Sequence, residues 1–310
     1  MASYLVTGGA GFIGSHLCEA LVEKKHTVYV LDNLSTGKLK NIHEKVNFIE
    51  GDIRDYLLLL DLMSKVDGCF HLAAIASVMQ SNEHPLQAHE INLTGTLNVI
   101  ECTRALNNKQ KNIPVVFASS SAVYGNNQTL PNQEDGLTIP ISNYGAQKLC
   151  GEYYGKFTNN LYATPFTALR LFNVYGARQT LESDYSGVIT IFIKNLIAGF
   201  PITFYGDGEQ ARDFIYVKDV VRFFIRAMET STDSMRIYNV CSGKKTSIHT
   251  IANILGEILK IKPDIIIEPH RIGDILYNYG SPTLAKNELD ILAEYSLESG
   301  LTKLLEEFQQ

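Results

Sequence analysis

A glycine-rich turn near the N-terminus constrains the fold of this chain more than any other feature. The turn follows the β-favouring stretch Tyr4–Thr7, carries Gly8, Gly11 and Gly14 at a spacing of three, and leads into the helix-forming stretch Ile13–Glu23. Glycine has no Cβ, so the backbone of such a turn can approach a ligand closely and pass straight from a strand into a helix. The order strand, glycine turn, helix predicts the first unit of a parallel α/β sheet.

The same turn, together with an acidic residue at the end of the next strand, predicts a dinucleotide site. The helix N-terminus offers N–H groups and partial positive charge to a pyrophosphate. Asp32 lies 18 residues after Gly14 (32 − 14), where a carboxylate accepts hydrogen bonds from ribose hydroxyls and would repel a 2′-phosphate, which favours NAD over NADP. Asp52, Ala73 and Ala74 follow later strands and are expected to face the cofactor, although Asp52 as a helix N-cap is the alternative.

Short apolar runs alternate with amphipathic stretches along the chain, which is typical of a parallel sheet with crossover helices. The predicted strands are Tyr4–Thr7, Thr27–Leu31, Val46–Glu50, Gly68–Leu72, Val115–Ala118, Thr167–Leu171, Ile202–Tyr205 and Arg236–Val240. The predicted helices are Ile13–Glu23, Tyr56–Met63, Glu90–Leu106, Tyr144–Phe157, Gly187–Ala198, Asp219–Met228, Ile248–Leu259 and Leu301–Phe308. We therefore predict a Rossmann-like doubly wound parallel sheet with a smaller, interleaved α/β substrate-binding lobe. Residues 1–175, with 213–240 returning to the sheet, form the NAD-binding domain, and 176–212 with 241–310 form the lobe.

Composition narrows the class of protein. A net charge of −6 and a pI near 5.8 disfavour nucleic acid or an anionic membrane as a partner. The chain enters its first strand without a basic leader, and no apolar run approaches the roughly 20 residues that span a bilayer. The histidines show no ligand spacing, so no metal is expected. Five scattered cysteines without a CxxC pair are typical of a reducing, cytoplasmic compartment: Cys18, Cys69, Cys102, Cys150 and Cys241.

A tyrosine and a lysine in the middle of the chain indicate the chemistry. Tyr144 and Lys148 are four residues apart and share a helix face. The ammonium, with the positive ring of a nicotinamide, would favour the phenolate and so make Tyr144 a base. Ser119, Ser120 and Ser121 end a predicted strand at the edge where such sheets bind ligands. A hydride acceptor beside a proton acceptor predicts oxidation of a secondary alcohol.

With these motifs in place, the chain resembles the extended short-chain dehydrogenase/reductase family, and within it the 4-epimerases of UDP-glucose and UDP-N-acetylglucosamine. The resemblance covers nearly the whole chain and rests on Thr7–Gly14, Leu31–Asn33, Gly51–Asp55, His71–Ala74, Asn92–Thr96, Ser119–Gly125, Tyr144–Lys148, Arg170–Gly176, Gly206–Gly208 and Arg212–Val217. It implies Ser120, Tyr144 and Lys148 as catalytic residues, with Ser119 or Ser121 as less favoured choices for the serine. It implies NAD contacts by Gly8, Gly11, Phe12, Ile13, Gly14, Asp32, Asn33, Asp52, Ile53, Ala73, Ala74, Asn92, Tyr144 and Lys148.

The residues after the catalytic serine distinguish reactions within this family. Its dehydratases carry an Asp-Glu pair there and its UDP-glucuronate decarboxylases a glutamate, whereas this chain has Ser121 and Ala122. The resemblance therefore implies reversible oxidation at C4 of the sugar, rotation of the 4-keto sugar about its pyrophosphate linkage, and return of hydride to the opposite face. NAD would stay bound, because no net redox change occurs.

The nucleotide end of the substrate would be held by basic and aromatic residues. Arg212 and Arg271 are candidates for clamping the pyrophosphate, because guanidinium groups match phosphate oxygens; a surface ion pair is the alternative for each. By resemblance, Phe204 or Tyr205 flanks the uracil, with a core position as the alternative for Phe204. The resemblance also implies substrate contacts by Ser77, Ser120, Ser121, Tyr144, Asn173, Val188 and Asp274.

One position bears on which sugar is accepted. Four residues after Asp274 the family places a bulky tyrosine when only unacetylated hexoses are accepted, and a smaller residue when N-acetyl groups fit. That position is Asn278 here, although Tyr277 and Tyr279 flank it and a one-residue slip would reverse the inference. We expect UDP-GlcNAc and UDP-GalNAc to be accepted along with UDP-Glc and UDP-Gal.

Two other interpretations remain open at this point. Another nucleotide-sugar epimerase or a 4-ketosugar reductase of the same family would use the same motifs, although such reductases generally use NADPH, which Asp32 disfavours. A non-catalytic NAD-sensing protein would have little need of the Tyr, Lys and Ser set. The family also pairs the helices corresponding to Glu90–Leu106 and Tyr144–Phe157 across an interface, which implies a homodimer.

Overall fold

A seven-stranded parallel sheet forms the centre of the computed structural model, which describes residues 1–107, 111–179, 187–270 and 275–308. The strands are β1 (Ser3–Thr7), β2 (Thr27–Asp32), β3 (Asn47–Glu50), β4 (Gly68–His71), β5 (Val115–Ser120), β6 (Phe166–Leu171), β7 (Asn173–Tyr175), β8 (Ile202–Tyr205), β9 (Ala211–Arg212), β10 (Phe214–Tyr216), β11 (Arg236–Val240), β12 (Thr246–Ser247), β13 (Ile265–Glu268) and β14 (Tyr277–Asn278). The helices are α1 (Phe12–Glu23), α2 (Tyr56–Met63), α3 (Val78–Glu83), α4 (Pro85–His89), α5 (Gly95–Asn107), α6 (Asn143–Tyr162), α7 (Val188–Ile197), α8 (Val217–Glu229), α9 (Ile248–Leu259), α10 (Thr283–Leu289) and α11 (Leu297–Phe308). None of the described helices is long and apolar enough to cross a membrane.

The sheet has the strand order β3-β2-β1-β4-β5-β6-β11 and is covered on both faces. Successive side chains of a strand point to opposite faces of the sheet. Because helices cover both faces, the consecutive residues Leu5 and Val6 of β1 are both fully buried. Leu5 packs in a cluster with α2 and α5, and Val6 packs in a cluster with α1 and α8. This arrangement confirms the predicted Rossmann-like fold.

The register of the strands brings their carboxyl ends to one edge of the sheet. Thr7 of β1 lies opposite Leu31 in β2 and opposite His71 in β4. In the neighbouring pair of strands, β5 and β6, Ser120 lies opposite Leu171. Strand ends in an open α/β sheet meet where ligands bind, so residues far apart in sequence converge at this edge.

A third apolar cluster, built from α7, α9 and α11 with β8 and β10, forms the core of the smaller lobe. Short strands connect it to the rest: β7 pairs with β10, and β9 pairs with both β12 and β14. β11 comes after the first strands of this lobe in sequence but pairs with β6 in the main sheet. The chain therefore crosses between the two parts more than once.

The predicted helix Glu90–Leu106 differs from the structure in its first turns. The expected helix Glu90–Leu106 begins with the π-helical segment Glu90–Thr94, followed by α5, and the unpredicted helices α3 and α4 precede it. A π-helical turn widens the helix locally and commonly marks a functional region. Here its central residue, Asn92, is buried and hydrogen-bonded to the backbone of Ile75, a contact that hydrophobic periodicity does not reveal.

A buried ion pair joins α6 to the sheet. Arg170 of β6 donates to Glu152 of α6 at 2.8 and 3.0 Å, and both side chains are almost completely buried. Ser119 donates a further hydrogen bond to Glu152, and Arg170 donates to the Tyr124 hydroxyl. These bonds fix the helix that carries Tyr144 against the strand that ends at Ser120.

Replacing Glu152 should therefore destabilise the protein strongly. Glu152→Ala leaves the Arg170 charge buried without its carboxylate, which we expect to lower the free energy of unfolding by about 3–5 kcal/mol. The control is Asp61→Ala, which breaks the exposed pair between Asp61 and Lys65 (2.6 Å) and should cost less than about 1 kcal/mol. Urea unfolding of both variants measures the difference, and similar small losses would contradict this account of the ion pair.

Candidate active site

A cavity of about 940 Å³ lies at the carboxyl edge of the sheet and extends to the smaller lobe. Its wall includes all three residues that sequence analysis assigned to catalysis, together with nine other predicted site residues. The predicted residues that line it are Gly8, Phe12, Ile13, Gly14, Ala74, Ser120, Ser121, Tyr144, Lys148, Asn173, Arg212 and Asn278. The tertiary structure thus unites the glycine turn, the serines and the Tyr–Lys pair in one space.

The glycine turn has the geometry that a pyrophosphate requires. Gly8 has a φ of +73°, and a Cβ on Gly14 would lie 2.2 Å from the Gly8 carbonyl oxygen, so both positions require glycine. α1 starts after Gly11 with no side-chain cap, which leaves the N–H groups of its first turn directed toward the cavity end of the helix. Asp32 accepts a hydrogen bond from the Ala10 N–H at 2.9 Å, which attaches the turn to the end of β2. These residues fit NAD.

Asp52, which follows β3, is held by neighbouring polar groups. It accepts hydrogen bonds from Arg54 and from Asn33, each at 2.9 Å. The Arg54 hydrogen bonds lower the pKa of the Asp52 carboxyl to about 2, so it carries a charge. The helix N-cap alternative is wrong, because Asp55 caps α2 by accepting from the Leu58 N–H.

Tyr144, Lys148 and Ser120 meet at the inner end of the cavity. The Lys148 Nζ atom lies 4.8 Å from the ring centre of Phe117 and 5.6 Å from that of Tyr144. Both Tyr144 and Lys148 are buried, and the side chain of Ser120 lies close enough to the Tyr144 phenol to affect its pKa. The hydroxyl of Ser120 therefore lies within reach of the same substrate oxygen as the phenol.

Burial works against the ionised form of both side chains. It raises the pKa of Tyr144 to about 12, only partly opposed by the nearby Ser120 side chain, and it lowers the pKa of Lys148 to about 7. We expected Lys148 to lower the pKa of the Tyr144 phenol. In the protein without cofactor, the pKa of this phenol is raised instead. The reason is that the ammonium itself is desolvated and lies over the two rings.

The three serines at the end of β5 have different surroundings. Ser119 donates to the buried Glu152 carboxylate, which commits its hydroxyl to the ion-pair network. Ser120 accepts from the Ala122 N–H at 3.2 Å and contacts Tyr144. Ser121 is buried and lines the cavity. This placement favours Ser120, with Ser121 next to it, over Ser119.

Asn92 lies behind the cavity wall. Its carboxamide accepts from the Ile75 N–H (2.7 Å), donates to the Ile75 carbonyl (3.0 Å) and donates to Gln147 (2.8 Å). Gln147 directly precedes Lys148, so Asn92 joins the segment after β4 to the helix of the Tyr–Lys pair. Sequence analysis did not identify Gln147. The available signal was that a polar residue lies on the buried face of this helix.

His71 is a buried structural residue. Thr96 donates to the Asn92 carbonyl at 2.6 Å, so it accepts from His71 Nε2–H at 3.0 Å. The other ring nitrogen then accepts from Thr7 at 2.7 Å, and Thr7 accepts from the Ala73 N–H. Burial, with the charge of Lys148, lowers the pKa of His71 to about 3, which keeps the ring neutral.

On the nucleotide side the predicted residues divide into two groups. Asn173, Arg212 and Asn278 line the cavity, and Arg212 donates to the Leu276 carbonyl at 3.3 Å. Phe204 instead stacks on Phe192 in the core of the smaller lobe, which favours its core interpretation. Ile53 is also a core residue, and Ser77 caps α3. Some of the predicted site residues that the structure describes do not line the cavity: Gly11, Asp32, Asn33, Asp52, Ile53, Ala73, Ser77, Asn92, Val188, Phe204 and Tyr205. The predicted contacts Arg271 and Asp274 lie outside the described residues.

Several lining residues were not predicted from the sequence. The segment after β2 folds back over the glycine turn, since the Lys38 N–H and the Asn41 side chain both donate to the Ala10 carbonyl. Polar residues soon after Asp32 were the available signal. The unpredicted polar and flexible side chains are Thr36, Lys38, Asn41, Met79, Asn82, Arg178 and Gln179.

A doubly wound sheet with a glycine turn, an acidic residue after β2 and a Tyr–Lys–Ser cluster defines a nicotinamide-dependent enzyme class. Residues 4–241 match the model of the NAD dependent epimerase/dehydratase family. The chain belongs to this family, and its cofactor is NAD.

Similar proteins of this family differ in their named reactions. A UDP-glucose 4-epimerase from Thermotoga maritima, solved with UDP-glucose, is 35% identical with a TM-score of 0.93, covering 99% of this chain and 98% of that one. A UDP-N-acetylglucosamine 4-epimerase from Methanobrevibacter ruminantium, in complex with UDP-N-acetylmuramic acid, has the same identity, TM-score and coverage. A UDP-N-acetyl-alpha-D-glucosaminuronate decarboxylase from Bacillus cytotoxicus is 35% identical over 99% of this chain and 97% of its own length. Similarity alone therefore does not select the reaction.

Replacing Lys148 should stabilise the fold. Because burial lowers the pKa of Lys148 from 10.5 to about 7, the unfolded chain binds a proton between pH 7 and 10 that the folded chain lacks, and the free energy of unfolding rises with pH there. Below pH 7 the folded protein carries the full cost of burying the ammonium. Lys148→Met should thus raise the free energy of unfolding at pH 6 by about 2–4 kcal/mol. The exposed Lys156→Met on the same helix is the control, and equal effects of both substitutions in chemical denaturation would refute this explanation.

Proposed function

We propose that this protein is an NAD-dependent 4-epimerase of UDP-hexoses, an isomerase that interconverts UDP-Glc with UDP-Gal and also UDP-GlcNAc with UDP-GalNAc. The observation that carries the proposal is the meeting of Tyr144, Ser120 and Lys148 with the glycine turn in one cavity. A solved 4-epimerase that binds UDP-glucose and one that acts on UDP-N-acetylglucosamine have nearly the same backbone.

Each residue of the cluster has a defined task in this reaction. NAD, when bound, supplies reversible acceptance of hydride from C4 of the sugar. Tyr144 takes the O4 proton and later returns it. Ser120 donates a hydrogen bond to the same oxygen and holds it in line with the phenol. Burial raises the pKa of Tyr144, so the phenol must be ionised before it can accept a proton, and a bound nicotinamide ring would supply positive charge that favours the phenolate.

The charge distribution of the cavity wall supports a nucleotide-sugar substrate. None of the described residues that line the cavity is aspartate or glutamate, whereas Lys38, Lys148, Arg178 and Arg212 all line it. A wall of this charge suits ligands with pyrophosphate groups, although the whole chain carries a net charge of −6. The local excess of positive charge, not the global charge, would govern binding.

The same wall favours epimerisation over elimination or decarboxylation. Those reactions need an acidic side chain near the carbons that neighbour C4, and Ser121 and Ala122 occupy the positions after Ser120. Because the described part of the wall supplies no aspartate or glutamate beside Ser120, oxidation and reduction at one carbon, with Tyr144 as the base, is the chemistry left. We therefore place this chain with the epimerases of its family instead of its decarboxylases.

Interconversion of the sugars and the role of Tyr144 can be tested together. Purified protein should interconvert UDP-Glc and UDP-Gal, and also the acetylated pair, and Tyr144→Phe should lower kcat by about 10²–10⁴-fold because the base is removed. The control Tyr154→Phe removes a hydroxyl from the outer face of the same helix and should leave kcat unchanged. NMR of the products and absorbance of the retained cofactor give the two readouts.

Three outcomes would count against the proposal. A fully active Tyr144→Phe would exclude the phenol as the base. Turnover of GDP-, CDP- or dTDP-sugars in preference to UDP-sugars would change the nucleotide. Turnover confined to the unacetylated pair would refute the acceptance of N-acetyl groups.

A homodimer is also part of the proposal. The outer face of α6 exposes large apolar side chains, with Tyr153, Phe157 and Leu161 exposed by 48, 54 and 72%. Tyr153 and Phe157 stack with ring centres 6.2 Å apart, so they form a continuous apolar surface. Two copies of this helix packed against each other would cover it.

Charge on this surface should separate the subunits. Phe157→Glu places a carboxylate in the proposed interface, and we expect sedimentation velocity to show a monomer where the unmodified chain gives a dimer. Ile197→Glu, at a position of similar exposure (57%) on α7, serves as the control and should remain dimeric. A monomeric unmodified chain would refute the interface outright.

A further inference from the structure

A chain of three asparagine side chains runs from the loop after β5 to the cavity wall. Asn127 donates to Asn132 at 3.0 Å, and Asn132 donates to Asn278 at 3.0 Å. All three side chains are buried, with 7, 2 and 7% of their surface exposed. Asn278 lines the cavity together with Ser120, Ser121 and Tyr144.

A backbone group at the outer end fixes the direction of the whole chain. The oxygen and nitrogen of a carboxamide have nearly the same shape, so hydrogen-bond partners must decide which is which. The backbone N–H of Thr129 can only donate, so the Asn127 atom that lies 3.0 Å from it must be the carboxamide oxygen, Oδ1. Asn127 must then present its nitrogen to Asn132 Oδ1, and Asn132 must present its nitrogen to Asn278 Oδ1.

The middle residue of the chain is also held through its backbone. The Asn132 N–H donates to the Tyr279 carbonyl at 2.9 Å, and its carbonyl accepts from the Ser281 N–H at 2.9 Å and from the Asn239 side chain at 3.0 Å. The backbone of Asn132 is therefore attached to the residues that follow Asn278, which keeps the two side chains within hydrogen-bonding distance of each other.

The inner end of the chain bears on the substrate. With Oδ1 of Asn278 turned to Asn132, the amide nitrogen occupies the other branch of the carboxamide. Among the residues that the structure describes, none accepts a hydrogen bond from this nitrogen. A ligand group that accepts a hydrogen bond would satisfy it, whereas a group that can only donate would not.

We propose that Asn132 is a positioning residue for sugar selection, which orients the Asn278 carboxamide so that its N–H₂ group faces the sugar and favours a hexose with an acetamido carbonyl. This inference rests on the proposed function. A sugar hydroxyl can donate or accept and so tolerates either orientation of Asn278, but an acetamido carbonyl only accepts. Reversing the orientation should therefore discriminate against the acetylated sugars.

Asn132→Asp reverses the orientation with little change of shape. Both oxygens of the new side chain accept, so Asn127 keeps its bond, and Asn278 must turn its nitrogen toward residue 132 and its oxygen toward the sugar. We expect the ratio of kcat/KM for UDP-GlcNAc to that for UDP-Glc to fall at least about tenfold, mainly through KM for the acetylated sugar. Asn126→Asp adds the same charge at an exposed position of the same loop and should leave the ratio unchanged.

A second variant keeps the test decisive if the first fails to fold. Asn278→Asp retains the bond from Asn132 and presents an acceptor to the sugar, so it should shift the ratio in the same direction. An unchanged ratio in the folded variants, or an equal loss for both sugars, overturns the proposal. So does a shift of the same size in Asn126→Asp.

Calorimetry separates this proposal from the proposed function. Titrating UDP-GlcNAc, UDP-Glc and UDP into the unmodified holoprotein and into Asn132→Asp measures the preference without turnover. A protein that interconverts neither pair refutes the epimerase, while a loss of UDP-GlcNAc affinity relative to UDP-Glc in Asn132→Asp would still support the orientation of Asn278. Equal relative affinities in both proteins would refute it.

Discussion

The close contact between α6 and the end of β5 is the constraint on which the rest of the site depends. A Cβ on Gly145 would lie 2.5 Å from the Ala122 carbonyl oxygen, and one on Gly155 would lie 2.4 Å from the Phe166 ring. Helix and sheet approach to a distance that only these small residues permit. At this distance the Tyr144 phenol lies beside Ser120, and the Glu152 carboxylate accepts hydrogen bonds from Arg170.

The same closeness creates an electrostatic cost at the centre of the site. Tyr144 and Lys148 are both buried where their charged forms are poorly solvated, so each pKa moves toward the neutral form. The neighbouring network is fully hydrogen-bonded, from the neutral His71 to Asn92, and keeps the surroundings rigid. The hydrogen-bonded network therefore stabilises the fold, whereas the buried reactive groups Tyr144 and Lys148 destabilise it, as expected where function opposes stability.

Sequence patterns gave the main sheet correctly because each strand and crossover helix carries its own period of apolar residues. They failed where a side-chain contact controls the backbone, as in the π-helical turn around Asn92, which anchors to Ile75. They also failed to separate ligand contacts from core positions: Phe204 follows the pattern of both and packs on Phe192. Asp52 was ambiguous for a similar reason, because a residue between a strand and a helix can cap the helix or bind Arg54.

The sequence by itself determined the glycine turn, the acid after β2, and the Tyr–Lys spacing, because all three act within one or two consecutive elements of the chain. Only the tertiary structure showed that Ser119 donates to Glu152, which favours Ser120, and that burial counters the ionisation of both Tyr144 and Lys148. It alone decided the orientation of the Asn278 carboxamide, through a chain of hydrogen bonds that starts at Thr129, about half the chain away. Burial and hydrogen-bond direction depend on neighbours from distant segments, and local patterns carry no record of them.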